Sequence, residues 1–350
     1  MSAEILLNRE MMPLARLSGS SREIGYGHGS LFADKVRRCW EVYKVILGGD
    51  ETLIRRRANA FEESITAFEP RYSEEIYGIA EGSGLESWKI FALNARTEIF
   101  REVAREKLAD ECTSLYFRPS AVLGQNWDFE EKCESLMLLL ELRPDDRPAV
   151  LMMAEPGIIG KIGFNSCGVG VCLNILSCPS SLSGVPVHVM LRRVVDSESF
   201  EEALEAVDSD VIQSASNMLI ADDNGNVVSL ELAGEERARY APPSDIVFHT
   251  NHYLQLPIRE NITDSSKARC QRMEELVLQN SKFDAEAMKA ILLDKQNAGL
   301  PICREYVPDP DPGFTASGTN CSIIMELRNR VMHITPGNPL RHPFETHTLA

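Results

Sequence analysis

The sequence predicts a layered α+β protein, a sandwich of β-sheets covered by helices. Three observations lead there. A helix-rich texture gives way to a strand-rich one near residue 111, tight-turn chemistry recurs between apolar runs after it, and helical stretches separate two groups of those runs. Length and composition agree: 350 residues bury a large core, and 44% hydrophobic with 25% charged residues is ordinary globular usage, which excludes disorder and fibrous repeats.

From about Arg22 to Glu106 apolar residues recur at three- and four-residue spacings. Ile65, Phe68 and Tyr72, then Ile76, Ile79 and Ala80, then Trp88, Phe91 and Ala92 trace amphipathic helices, with Gly82-Ser-Gly84 between two of them. After Glu111 come short apolar runs at Thr113–Phe117, Val122–Gln125, Ser135–Leu142 and Ala149–Ala154, punctuated by Pro, Gly and Asp. Gly160–Phe164 and Val169–Ile175 flank the turn Asn165-Ser-Cys-Gly168; Asn217–Ala221 and Val227–Leu232 flank Asp223-Asn-Gly-Asn226, where Asn-Gly supports a tight hairpin. Helices are expected at about Pro186–Asp196, Ser199–Val207, Ser265–Gln279 and Ala285–Asp294, and a last hairpin at Cys321–Leu327 and Val331–Thr335.

Charge narrows the partners. Thirty-six Lys and Arg against 52 Asp and Glu leave a net charge of −16, which repels phosphate backbones and anionic lipid, so neither nucleic acid nor a membrane surface is an expected partner. Nine cysteines, an odd number with no C-x-x-C pair, fit free thiols in a reducing compartment. With no basic, apolar leader at Met1-Ser-Ala-Glu4, a cytoplasmic protein is expected.

The change of texture falls at Asp110-Glu111-Cys112-Thr113-Ser114, followed by Gly124-Gln125-Asn126-Trp127-Asp128-Phe129. A lone cysteine is most often a small buried apolar residue. Cys112 stands out because it opens a strand after a charged helix end. If the chain is cut before it, one residue carries both a thiol nucleophile and a free α-amine as base. Reference pKa values of about 8.5 for the thiol and about 7.7–8.0 for the amine place that pair within reach of neutral pH. Such a base is typically worth ~10²–10⁴ in rate. The thiolate attacks an acyl carbon, forms a thioester and passes the acyl group to an amine or water.

These motifs resemble the acyl-coenzyme A:6-aminopenicillanic acid acyltransferase family of N-terminal-nucleophile hydrolases. Further landmarks agree in order: Glu23-Ile-Gly-Tyr-Gly-His-Gly29, Tyr72 to Ala80, Asn94-Ala-Arg-Thr-Glu98, Glu155 to Ser166, His249-Thr-Asn-His252 and Ile302-Cys-Arg304, so the resemblance spans roughly Glu23 to Pro339. It implies a four-layer αββα fold and a precursor that cuts itself between Glu111 and Cys112. Residues 1–111 would then form a helical α subunit and 112–350 a strand-rich catalytic β subunit, a heterodimer within one domain. It also implies Cys112 as nucleophile, Asp128 holding the new amine, and Asn251 donating to the oxyanion. Asn174, Gln125 and Arg304 would contact substrate. No metal or other cofactor is implied; coenzyme A enters only within a thioester donor, and the partners are a small acyl donor and an amine.

The chain departs from the family at several points. Glu111 replaces the glycine that precedes the nucleophile in the penicillin enzymes, and Gln125 stands where bile-salt hydrolases of the superfamily carry arginine. Ala316, in Thr315-Ala-Ser-Gly-Thr319, lies near the position of a penicillin-enzyme arginine. Lacking a cation there, the acceptor pocket is expected to favour neutral or amine-bearing partners over 6-aminopenicillanic acid, with Arg304 the first alternative carboxylate partner. Two rivals stay open: a hydrolase of β-alanyl-amine type, and an uncleaved family member that only binds ligand. His249 and His252 read as neighbours bordering Asn251, not as metal ligands. Gly25-Tyr-Gly-His-Gly29 misses the spacing of a nucleotide loop and reads as a turn with close helix packing.

Overall fold

The computed structural model describes residues 2–6, 12–103, 112–178, 182–208, 214–258, 263–297, 299–311 and 313–349. Glu111, on the upstream side of the expected cut, lies outside the described residues, and Cys112 is the first described residue after it.

Two strands open the chain, β1 (Ser2–Leu6) and β2 (Leu14–Gly19), followed by α1 (Ser21–Leu31), α2 (Ala33–Ile46), α3 (Glu51–Phe68), α4 (Pro70–Ser83), α5 (Ser87–Asn94) and α6 (Arg96–Val103). Local chemistry sets the helix ends. Ser20 and Glu23 form a capping box on α1, Asp50 caps α3, and α4 begins at Pro70 and stops at Gly84 with φ of 72°. Next come β3 (Thr113–Phe117), β4 (Val122–Glu130), β5 (Leu138–Pro144), β6 (Val150–Ala154), β7 (Ile162–Asn165) and β8 (Gly170–Ile175). After α7 (Val187–Val195) and α8 (Phe200–Ala206) follow β9 (Ser214–Ala221), β10 (Val227–Gly234), β11 (Glu236–Tyr240) and β12 (Ile246–His249). The chain closes with α9 (Asp264–Gln279), α10 (Ala285–Leu292), β13 (Val307–Pro308), β14 (Ala316–Glu326), β15 (Val331–Ile334) and β16 (Glu345–Thr348).

The strands form two sheets. One runs β1-β2-β5-β6-β7-β8-β9-β10-β11; the other runs β12-β3-β4-β14-β15-β16, with β13 beside β14. Strands β3, β4 and β12 pack against β8, β9 and β10, so the sheets face each other. Helices α1, α7 and α8 cover the first sheet, and α9 and α10 cover the second; α4 packs on α1, while α2, α3 and α5 pack on α4, with α6 beside α5. This is the four-layer αββα arrangement. No helix among the described residues is long and apolar enough to cross a membrane.

The N-terminal part differs from the expected all-helical segment. It places β1 and β2 at the edge of the larger sheet, with β2 parallel to β5 from beyond Cys112. Strand β4 also runs five residues past the expected Val122–Gln125, because it pairs with β14 as far as Glu130 and two of its polar side chains find partners there. Asn126 donates to the carbonyls of Leu292 and Ile302, and Glu130 accepts from Thr315 N. Both expected turns hold. Asn165 Oδ1 accepts from the amides of Cys167 and Val169, and Gly225 has φ of 96° beside an Asp222 carboxylate that binds the amides of Asn224 and Asn226.

The Gly25–Gly29 stretch is helix interior, not a turn. Gly25 and Gly29 of α1 meet the backbone of α4, and Gly78 and Gly82 of α4 meet that of α1, so that a Cβ at any of the four would overlap main-chain atoms. Gly78→Ala should therefore cost about 1–3 kcal/mol, the usual penalty of overpacking, as a drop in thermal or urea stability. A variant as stable as the parent would mean that the two helices can move apart without cost.

Candidate active site

Cys112 immediately precedes β3, which lies between β12 and β4 in the smaller sheet. Antiparallel pairing sets Ser114 opposite Gln125, and both side chains reach across to the other sheet. Ser114 Oγ donates to Asn174 Oδ1 at 2.6 Å. Gln125 Nε2 donates to Leu173 O at 2.6 Å while Leu173 N donates to Gln125 Oε1 at 2.8 Å. The sheets are thus tied together beside Cys112. The cysteine is 2% exposed and lines a narrow cleft. Tyr43, Phe100, Trp127, Phe129 and Phe314 give the cleft an aromatic wall, and Leu173 and Ile175 flank it.

Asn251 arrives from another direction. Strand β12 pairs with β3, His249 opposite Ser114, and the chain turns immediately afterwards. Asn251 N donates to Ser266 Oγ at 2.8 Å, its Nδ2 donates to Ile175 O at 2.9 Å, and its Oδ1 accepts from Arg269 Nη2 at 3.0 Å. Ile175 itself borders the cleft. The turn is gripped by Glu231 of β10, whose buried carboxylate accepts from the amides of Leu254, Gln255 and Leu256 and from His249 Nε2. Burial works to raise the Glu231 pKa, but the bonds from His249 and these amides hold it below the ordinary carboxylate value. His252 packs behind, with Nδ1 against Ser266 Oγ at 2.8 Å. Among the described residues no three His, Cys, Asp or Glu side chains gather as metal ligands.

The other expected residues take distinct places. Asn174 donates to Cys112 O at 3.1 Å and His249 O at 3.3 Å, and accepts from Ser114 and Asn217, so both amide protons and both lone pairs are engaged inside the protein. It braces Cys112 and is not among the residues that line the cleft. Asp128 is fully buried on β4. In the register of the smaller sheet Thr113 lies opposite Asn126 and Cys321 opposite Trp127, so Cys112 and Asp128 each lie within one residue of these pairs. Arg304 is half-buried and bonds through its backbone to Thr319 and Asn338, and it does not line the cleft.

The cleft carries two cations, Arg96 and Lys161, both paired with Glu155. Arg96 Nη2 and Lys161 Nζ each lie 2.5 Å from Glu155 Oε2, and Tyr43 OH donates to Glu155 Oε1. Lys161 Nζ also sits 3.1 Å from the centre of the Trp127 ring, a cation–π contact. Burial lowers the Lys161 pKa. His188 donates from Nδ1 to Gly160 O and meets Arg96 through Nε2. Burial, then Arg96 and Lys161, hold it well below its ordinary value, so it is a neutral imidazole.

Arg269, Glu231 and this cluster are the residues that sequence reasoning passed over. A signal existed for two of them. Arg269 shares a helical face with the buried Ser266 and Met273, and Glu231 sits between Leu230 and Leu232 on a strand buried throughout. A charge on an apolar face marks a buried partner elsewhere.

A thiol enclosed beside an aromatic cleft, with an anchored amide nearby, is equipped for acyl chemistry. The family model described as acyl-coenzyme A:6-aminopenicillanic acid acyl-transferase matches residues 117–341. The chain belongs to this family. A relative within the acyltransferase family, the 40 kDa form of acyl-coenzyme A:6-aminopenicillanic-acid acyltransferase from Emericella nidulans, is 31% identical over 342 residues, covering 94% of this chain and 93% of its own length. Solved structures match more distantly. The N-acylethanolamine-hydrolyzing acid amidase ortholog of Caenorhabditis elegans is 17% identical, with a TM-score of 0.46, covering 62% of this chain and 93% of its own. Conjugated bile acid hydrolase of Clostridium perfringens is 11% identical at the same TM-score, covering 68% and 92%.

Proposed function

We propose that this acyltransferase-family chain is a self-processing cysteine N-acyltransferase and amidohydrolase that carries its acyl group as a Cys112 thioester. The observation that supports it best is the placement of Cys112: at a strand end, in the aromatic cleft, its carbonyl bound by Asn174 and Arg269. In processing, Cys112 Sγ adds to the Glu111 carbonyl, the C–N bond breaks to free the Cys112 amine, and water hydrolyses the resulting thioester. In turnover that amine takes the thiol proton, and the thiolate attacks the acyl carbon of an N-acyl amide or acyl-coenzyme A. The leaving amine or thiol departs with a proton, and an amine or water then takes the acyl group. Asp128 would hold the amine, and Asn251 would donate Nδ2–H to the oxyanion.

The pieces 1–111 and 112–350 would stay associated. The first supplies β2, paired along its length with β5, and contributes Tyr43 and Arg96 to the cleft.

The test is intact mass measurement of denatured protein, before and after exposure to acyl-coenzyme A esters and N-acyl amides. Masses for 1–111 and 112–350, with acyl adducts on the second, are expected. A single uncut species that turns substrate over would rule out the N-terminal amine as base, and an uncut species without adducts would leave only ligand binding. Asn251→Ala should lower acyl transfer by ~10²–10³ while the fold is kept. Near-normal rates in a cut Asn251→Ala protein would assign the oxyanion to other donors.

A further inference from the structure

We propose that Arg269 is the positioning residue of the site, a single buried guanidinium that sets the distance and orientation between the nucleophile and the Asn251 amide. This rests on the reading that Cys112 and Asn251 act as described above. Arg269 is fully buried in the second turn of α9, a helix capped by Thr263. Its Nη1 donates to Cys112 O at 2.7 Å and Thr113 Oγ1 at 2.9 Å, its Nη2 to Asn251 Oδ1 at 3.0 Å, and its Nε to Ser265 Oγ at 3.3 Å. One rigid plane therefore spans the start of β3, the turn after β12 and its own helix.

That geometry has two consequences for the chemistry. By taking Oδ1, the guanidinium decides which way the Asn251 amide faces and leaves Nδ2 toward the carbonyl of Ile175, a residue that lines the cleft. A charge-assisted bond to Oδ1 also draws electron density from the amide and makes its N–H a stronger donor. The same fork fixes the Cys112 carbonyl, so the thiol and the oxyanion donor are held in one frame. Lysine has the charge but not the planar fork, and it reaches only one partner at a time.

The test is a double-mutant cycle on the purified full chain, with Arg269→Met, Asn251→Ala and both together, on one N-acyl amide. Loss of the frame should lower kcat by ~10–10²-fold with KM changed far less, since misplacement of this kind costs rate and not cleft contacts. In the Asn251→Ala background the same change should cost less than about threefold, because its target is gone. Equal losses in both backgrounds, an unchanged kcat or an effect on KM alone would overturn the proposal. If Arg269→Met cuts too slowly to mature fully, the cycle is read on the rate of self-cleavage, where the same oxyanion forms. If Arg269→Met does not fold, Arg269→Lys replaces it and should show the same non-additive loss; failure of both to fold would assign Arg269 to stability and overturn the proposal. Cys112→Ala separates the two levels, since an active Cys112→Ala protein would sink the site reading itself, whatever Arg269 does.

Discussion

Cys112→Ala should run as one 350-residue chain on a denaturing gel and transfer no acyl group. On the proposed mechanism the substitution removes a side chain that serves twice, once against its own upstream peptide bond and once against substrate, so no partial function is expected. Removing the nucleophile of a set that acts as a unit costs on the order of 10⁴-fold or more, far beyond the loss of one oxyanion donor. The fold should survive, because Cys112 Sγ is small and the bonds that Asn174 and Arg269 donate to the Cys112 carbonyl are kept by alanine. Cys112→Ser is the informative companion: a hydroxyl is a weak nucleophile at its ordinary pKa, so slow or absent cutting with little turnover is expected. Acyl transfer by a stable, folded Cys112→Ala protein would move the chemistry to another residue.

The second large effect is on stability. Glu155→Gln should destabilise the protein by about 3–5 kcal/mol at neutral pH, the usual consequence of removing one partner from a buried ion cluster. Glu155 is wholly buried and accepts from Arg96, Lys161 and Tyr43. A glutamine there removes the negative charge and leaves two cations close together inside the protein. The pH dependence follows from the direction of the Glu155 shift. Burial acts to raise its pKa, but Arg96 and Lys161, with the bonds from Lys161 and Tyr43, carry it below the usual 4.5. Between the folded and unfolded values the unfolded chain holds the extra proton, so this contribution is present above about pH 4.5 and is lost as pH falls through the folded value. Urea unfolding at pH 7 and near pH 4 should show the gap between parent and variant narrowing in acid. A Glu155→Gln protein within about 1 kcal/mol of the parent at pH 7 would mean the cluster does not depend on that carboxylate.

What the sequence determined by itself is local. Alternation and turn residues identified the hairpins around Asn165 and Gly225, and helical spacing identified the helices from α7 to α10, because these depend on neighbours a few residues apart. Cys112, Asp128 and Asn251 were picked out as candidates by likeness to the acyltransferase family, whose model matches residues 117–341. The remainder depended on tertiary structure. Strand β2 pairs parallel with β5 more than a hundred residues later, and Arg269 reaches Cys112 across 157 positions. Arg96 meets Glu155 across 59 positions. Periodicity reports that a face is buried but not what lies against it, so the partners of Arg269, Glu231 and Lys161 are not legible in the sequence. Burying a charge is costly unless a partner is supplied, and here the partner comes from a distant strand or turn, so only the packed layers reveal which charge answers which.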